Sequence, residues 1–146
     1  MSLLVDVGAW TNSVGANWAR KMARRAIAAG RTPKQSRMSR PLSVQGVGDG
    51  APTASWQSDL PIAITHAEGD VQEHRYTAPM LEGAGADLPA LLGLQTISGH
   101  RGVLETEPGK ERLTFPGPGG VRDPVGTRSL THATGKAPQW ASFDSL

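Results

Sequence analysis

The stretch Leu3-Leu4-Val5-Asp6-Val7-Gly8-Ala9 decides how the rest of the chain is read. Leu3, Leu4 and Val5 form a short apolar run of the kind that makes a buried strand, and Gly8 is a natural place for that strand to turn. Asp6 is therefore expected at the strand end, partly buried, with its carboxylate aimed beyond the turn. Burying an unpaired carboxylate is costly, so this acid needs a partner or a task. Asp also caps turns through its own backbone, and from these seven residues alone that simpler role is the default.

Composition narrows the possibilities. A chain of 146 residues is one domain's worth. Its 18 Gly and 11 Pro, with an apolar fraction of only 38%, predict abundant turns. The absence of cysteine excludes disulfides, thiolate metal sites and thiol nucleophiles, and it is compatible with the cytoplasm. No run of 18 apolar residues occurs, so a soluble chain without a membrane span is expected. The N-terminus lacks the pattern of a signal peptide and enters an apolar strand directly, which suggests a fragment or a processed domain.

The net charge of +2 is unevenly spread. Arg20, Lys21, Arg24, Arg25, Arg31, Lys34, Arg37 and Arg40 fall within one stretch free of acids, leaving the remainder net acidic. Asn17 can cap a helix running from about Trp18 to Ala29, which Gly30 ends. Trp18, Ala19, Met22, Ala23, Ala26, Ile27 and Ala29 fall on one side of it, and Arg20, Lys21, Arg24 and Arg25 on the other. Residues 31–40 read as an exposed linker.

Pro41 to Gln45 alternates as a half-buried strand does, and Ala54 to Thr65 alternates again through Trp56, Leu60, Ile62 and Ile64. Between them lies the glycine-dense turn Gly46-Val47-Gly48-Asp49-Gly50, so the two strands predict a hairpin. That turn lacks the spacing of a phosphate-binding loop. Another strand is expected over Glu73–Met80, with His74, Tyr76 and Ala78 on one face. A strand through about Leu92 should lead into a short helix from about Leu94 to Ser98. Gly102–Thr106 and Arg112–Phe115 make a final hairpin around Glu107-Pro108-Gly109-Lys110. From 117 to 146 the chain reads as an extended Gly/Pro-rich tail. His66, His74, His100 and His132 lack metal-ligand spacing, and no G-x-S-x-G elbow is present, so neither a metal site nor a serine hydrolase is expected.

Taken together, these segments carry a family likeness over about residues 3–116. Asp6-Val7-Gly8-Ala9 resembles the Asp-Thr/Ser-Gly-Ala signature of retropepsin-like aspartic proteases, the proteases of retroviruses and retroelements. Gly46-Val47-Gly48 resembles the tip of that family's flap, and Leu91-Leu92-Gly93-Leu94 its apolar-apolar-Gly-apolar element. The resemblance implies a mainly β fold: a small closed barrel of the acid-protease type, here with an inserted amphipathic helix and basic linker (16–40) and an irregular tail.

It also implies an endopeptidase that needs no cofactor. Two copies pair so that their Asp6 carboxylates share one proton, activate a water against a peptide carbonyl of a polypeptide substrate, and are covered by the flap at Gly46, Val47 and Gly48. Val7 stands where the family carries a hydroxyl, only five residues precede Asp6, and the 16–40 insertion is absent from compact viral members. A catalytically silent domain serving as a structural or protein-interaction subunit is the alternative. Nucleic-acid binding through the basic stretch ranks behind both, because a basic helix face is ordinarily a solvated one.

Overall fold

The computed structural model describes residues 3–45, 50–65, 69, 71–116 and 128–131. Strand β1 (Leu3–Asp6) turns and leads through the two-residue β2 (Val14–Gly15) into helix α1 (Ala16–Ala28). Three long strands follow, β3 (Lys34–Ser43), β4 (Thr53–Thr65) and β5 (Val71–Leu81). After a 3-10 turn at Gly83–Gly85 come β6 (Ala90–Gly93), α2 (Leu94–Gly99), β7 (Val103–Glu105), β8 (Arg112–Phe115) and β9 (Arg128–Thr131).

Among the described residues the fold is mainly β, with 49% strand and 21% helix. The expected closed barrel is not found among the described residues. Their strands instead form three separate hydrogen-bonded sheets, in the orders β1-β6, β2-β5-β4-β3 and β7-β8-β9. The central pairing is antiparallel β4 against β5, with Leu60 opposite Tyr76 and Ser58 opposite Ala78. Side chains alternate across a strand, which turns Ala54, Ser58, Leu60 and Ile62 inward with Tyr76, Ala78 and Met80. One continuous core joins Leu60, Ile62, Tyr76, Ala78 and Met80 to Leu3, Val14, Met22, Leu92, Ile97 and Leu113.

Helix α1 faces this core with Ala16, Ala19, Met22 and Ala26. Met22 is the one large side chain among these four, and its complete burial contributes about 1.5–3 kcal/mol. The three alanines let the helix approach closely. Ile27, expected on the apolar side, is 62% exposed, because it lies at the rim of the buried arc. The helix also begins two residues earlier than expected. Gly15 occupies the N-cap position, and Asn17 caps nothing. Instead the backbone N–H groups of Gly15 and Asn17 donate to Leu88 O (3.2 Å) and Ala86 O (2.9 Å), so a distant loop satisfies the helix start. At the other end Gly30, with φ of +71°, takes the left-handed conformation that glycine adopts freely.

Three further expectations change. Residues 34–40 are strand rather than linker: Lys34 to Arg37 pair with Asp59 to Trp56, and these ladder bonds stand in for an apolar pattern that the sequence lacks. His74 is exposed while Tyr76 and Ala78 are buried, so the inward face of β5 begins only at Tyr76. Within the stretch expected as an irregular tail, Arg128–Thr131 forms β9 against β8, with Leu130 opposite Leu113. The rest of that tail lies outside the described residues. No helix among the described residues is long and apolar enough to cross a membrane.

Candidate functional site around Asp6

Asp6 is the last residue of β1, half-buried, and lies opposite Gly93 in a parallel ladder that begins at Leu3 and Ala90. The chain turns at Val7 and Gly8. The Asp6 Oδ1 atom accepts the Gly8 N–H at 2.9 Å and the Ala9 N–H at 3.3 Å. Glycine suits the turn because a Cβ there would stand 3.2 Å from that same Oδ1. Asp6 Oδ2 makes no hydrogen bond among the described residues, so the loop holds one oxygen of the carboxylate. Asp6, Val7, Gly8 and Ala9 thus form one turn. The expected flap residues Gly46, Val47 and Gly48 lie outside the described residues. The arms that carry them are paired, Leu42 with Ala54 and Ser43 with Thr53, and Val44 N–H donates to Pro52 O at 3.0 Å.

After the turn, residues 9–13 run back along the opposite side of β6. The N–H groups of Leu94 and Gln95 donate to Ala9 O and Trp10 O, both at 2.8 Å, and Leu91 and Ser13 exchange a bond each way at 2.8 and 3.3 Å. Strand β6 is therefore threaded between β1 and the returning leg. The approach at Gly93 is so close that a Cβ would meet Thr11 C and O at 2.5 Å and Trp10 O at 2.9 Å.

Two side chains that the sequence reading did not single out fasten this arrangement. Asn12 Oδ1 accepts the Gly93 N–H and the Thr96 Oγ1–H, each at 2.9 Å, while its Nδ2 donates to Thr77 O at 3.1 Å. One amide thus ties the Asp6 loop to β6, α2 and β5. From beneath, the buried Tyr76 hydroxyl shares its proton between Ser13 O and Leu91 O, both at 2.8 Å. Burial raises the pKa of that phenol well above its ordinary value. Tyr76 was legible as the sole tyrosine of the chain; Asn12 carried no local signal.

Three large apolar side chains near Asp6 in the sequence are exposed. Val7 is 52% and Trp10 63% exposed, and Leu4 on β1 is 45% exposed. Among the described residues no group of three or more His, Cys, Asp or Glu side chains is placed to hold a metal ion. Known proteins offer no guide: no protein-family profile, curated protein or solved structure matches the chain.

Proposed function

We propose that the chain is a retropepsin-like aspartic endopeptidase domain that acts as a homodimer through Asp6. The observation that carries the reading is the Asp6 turn itself. A carboxylate ends a strand, one oxygen is fixed by the Gly8 and Ala9 amides, and exposed Val7 and Trp10 flank it. A second copy covering that apolar rim would bring a second Asp6 toward the first. Two carboxylates in such proximity hold one proton between them. The ionised member takes a proton from water as the water oxygen bonds to the peptide carbonyl carbon. The protonated member donates its proton to the carbonyl oxygen. Apolar-apolar-Gly strand β6 and the short helix α2 behind the loop, together with the glycine-tipped hairpin of β3 and β4, agree with the same reading.

One observation favours a silent structural or interaction domain instead. The bonds from Gly8 and Ala9 account for Asp6 as a turn cap, and Val7 brings no hydroxyl to the dyad axis. Digestion of an unfolded protein mixture at about pH 4–7, the range in which a shared-proton dyad works, separates the two. The endopeptidase reading expects cleavage by the parent chain, none by Asp6→Asn, and a dimer by sedimentation. A folded parent that is monomeric or cleaves nothing overturns it in favour of the silent domain.

A further inference from the structure

The described carboxylates are distributed unevenly among the cations. Glu73 takes Arg31 (2.7 Å), Asp59 takes Arg75 (2.8 Å), Glu107 takes Lys110 (2.8 Å) and Glu105 takes Arg112 (2.6 Å). Helix α1 is treated differently. Arg20, Lys21, Arg24 and Arg25 are all exposed, and at 3.6 residues per turn they occupy one arc opposite Ala19, Met22 and Ala26. None of the four has an ion-pair partner among the described residues. Arg20 donates only to the neutral Asn17 Oδ1 (3.2 Å), and Asp87, which meets this end of the helix, accepts from Asn17 Nδ2 (2.7 Å).

Farther along the sequence strand β3 carries exposed Lys34, Arg37 and Arg40, but Lys34 lies opposite Asp59 and its charge acts on that carboxylate. Arg37 lies 6.0 Å from the Trp56 ring centroid, a contact that orients the guanidinium without neutralising it.

We propose that the outer face of α1 binds the phosphate backbone of a nucleic acid without reading its bases. Most of the apolar side of α1 faces the core, which leaves exposed Ile27 as its one large aliphatic side chain on the surface, too little to anchor the helix in a bilayer. The arc is mostly arginine, whose planar fork matches phosphate oxygens two at a time. A row of fixed cations with no interspersed acid gains most from a polymer that carries condensed counterions. No aromatic side chain lies on the arc, which leaves no platform for base stacking.

The test is fluorescence anisotropy of a labelled 20-nucleotide mixed-sequence RNA with the full chain, titrated at several salt concentrations. Four phosphate contacts predict that affinity falls about 50-fold between 50 and 200 mM salt. Arg24→Gln/Arg25→Gln should lower the magnitude of the log–log salt slope by about 1.4, while Arg24→Lys/Arg25→Lys should keep it. All these positions face solvent, and circular dichroism verifies the fold of each variant. No binding at 50 mM salt overturns the proposal, as does a slope that the Gln variant leaves unchanged. Equal or tighter binding of phosphatidylserine vesicles or of polyglutamate overturns it in favour of a membrane or an acidic polypeptide.

Discussion

Replacing Gly93 by alanine tests the architecture beneath Asp6 at its tightest point. The added methyl would lie 2.5 Å from Thr11 C and O, and ordinary contact begins at 3.4 Å, so the Thr11 backbone must retreat by about 0.9 Å. Backbone atoms cannot swing aside as a side-chain end can. The retreat pulls on the bonds from Leu94 N to Ala9 O and from Gln95 N to Trp10 O, both now 2.8 Å. Losing these two at about 1 kcal/mol each, on top of about 1–3 kcal/mol for overpacking, gives a destabilisation of roughly 3–5 kcal/mol.

Gly99→Ala is the matched control. It lies at the end of α2, its Cβ would meet nothing within 4 Å, and it should be neutral or stabilising by under about 1 kcal/mol. Thermal unfolding followed by tryptophan fluorescence reads both. For a chain of this size, at about 2–4 °C per kcal/mol, Gly93→Ala should lower Tm by about 6–20 °C relative to Gly99→Ala. A difference below about 2 °C, equivalent to less than about 1 kcal/mol, refutes the close threading of β6 past the Asp6 loop.

Two further outcomes follow from the same region. Tyr76→Phe strips the donor from Ser13 O and Leu91 O and should cost about 1–3 kcal/mol in urea unfolding. Because burial raises the pKa of the Tyr76 phenol in the folded state, the unfolded chain holds fewer protons above its own tyrosine pKa. Stability contributed by the neutral phenol is therefore full below about pH 10 and declines as pH rises above it; Tyr76→Phe should flatten that decline. Asn12→Ala leaves the Gly93 N–H and Thr96 hydroxyl without their acceptor, so it should cost about 1–3 kcal/mol and speed hydrogen exchange at the Gly93 amide more than at core amides of β4.

Local patterns account for much of what the sequence disclosed. Leu3 to Val5 before a glycine turn, and Leu91-Leu92-Gly93 before a short helix, describe β1, β6 and α2 nearly to the residue, because strand, turn and helix start are each written within a few positions. The body of α1 is equally visible in its 3.6-residue apolar spacing. Its N-terminus is not, since the groups that satisfy it belong to Ala86 and Leu88. The outer part of β3 has no apolar alternation to betray it and is a strand by virtue of its neighbour β4. Asn12 illustrates the limit at the site: its three partners, on Thr77, Gly93 and Thr96, lie far along the chain, and nothing adjacent to it marks the role. Asp6 itself was conspicuous because an acid after an apolar run violates the pattern around it.

The threading of β6 also sets an order of events during synthesis. Leu3 pairs with Ala90 and Asp6 with Gly93, so the N-terminal segment must wait for most of the polypeptide before its seat exists. Closing so long a loop is entropically expensive, and contacts this distant in sequence belong to slow-folding topologies. A ribosome delivers Asp6 early and the residues that enclose it late. A nascent or truncated chain ending before β6 thus carries a latent acid: the residue is present, but the walls that orient it are not. The setting of Asp6 is therefore complete only once β6 is in place beside β1.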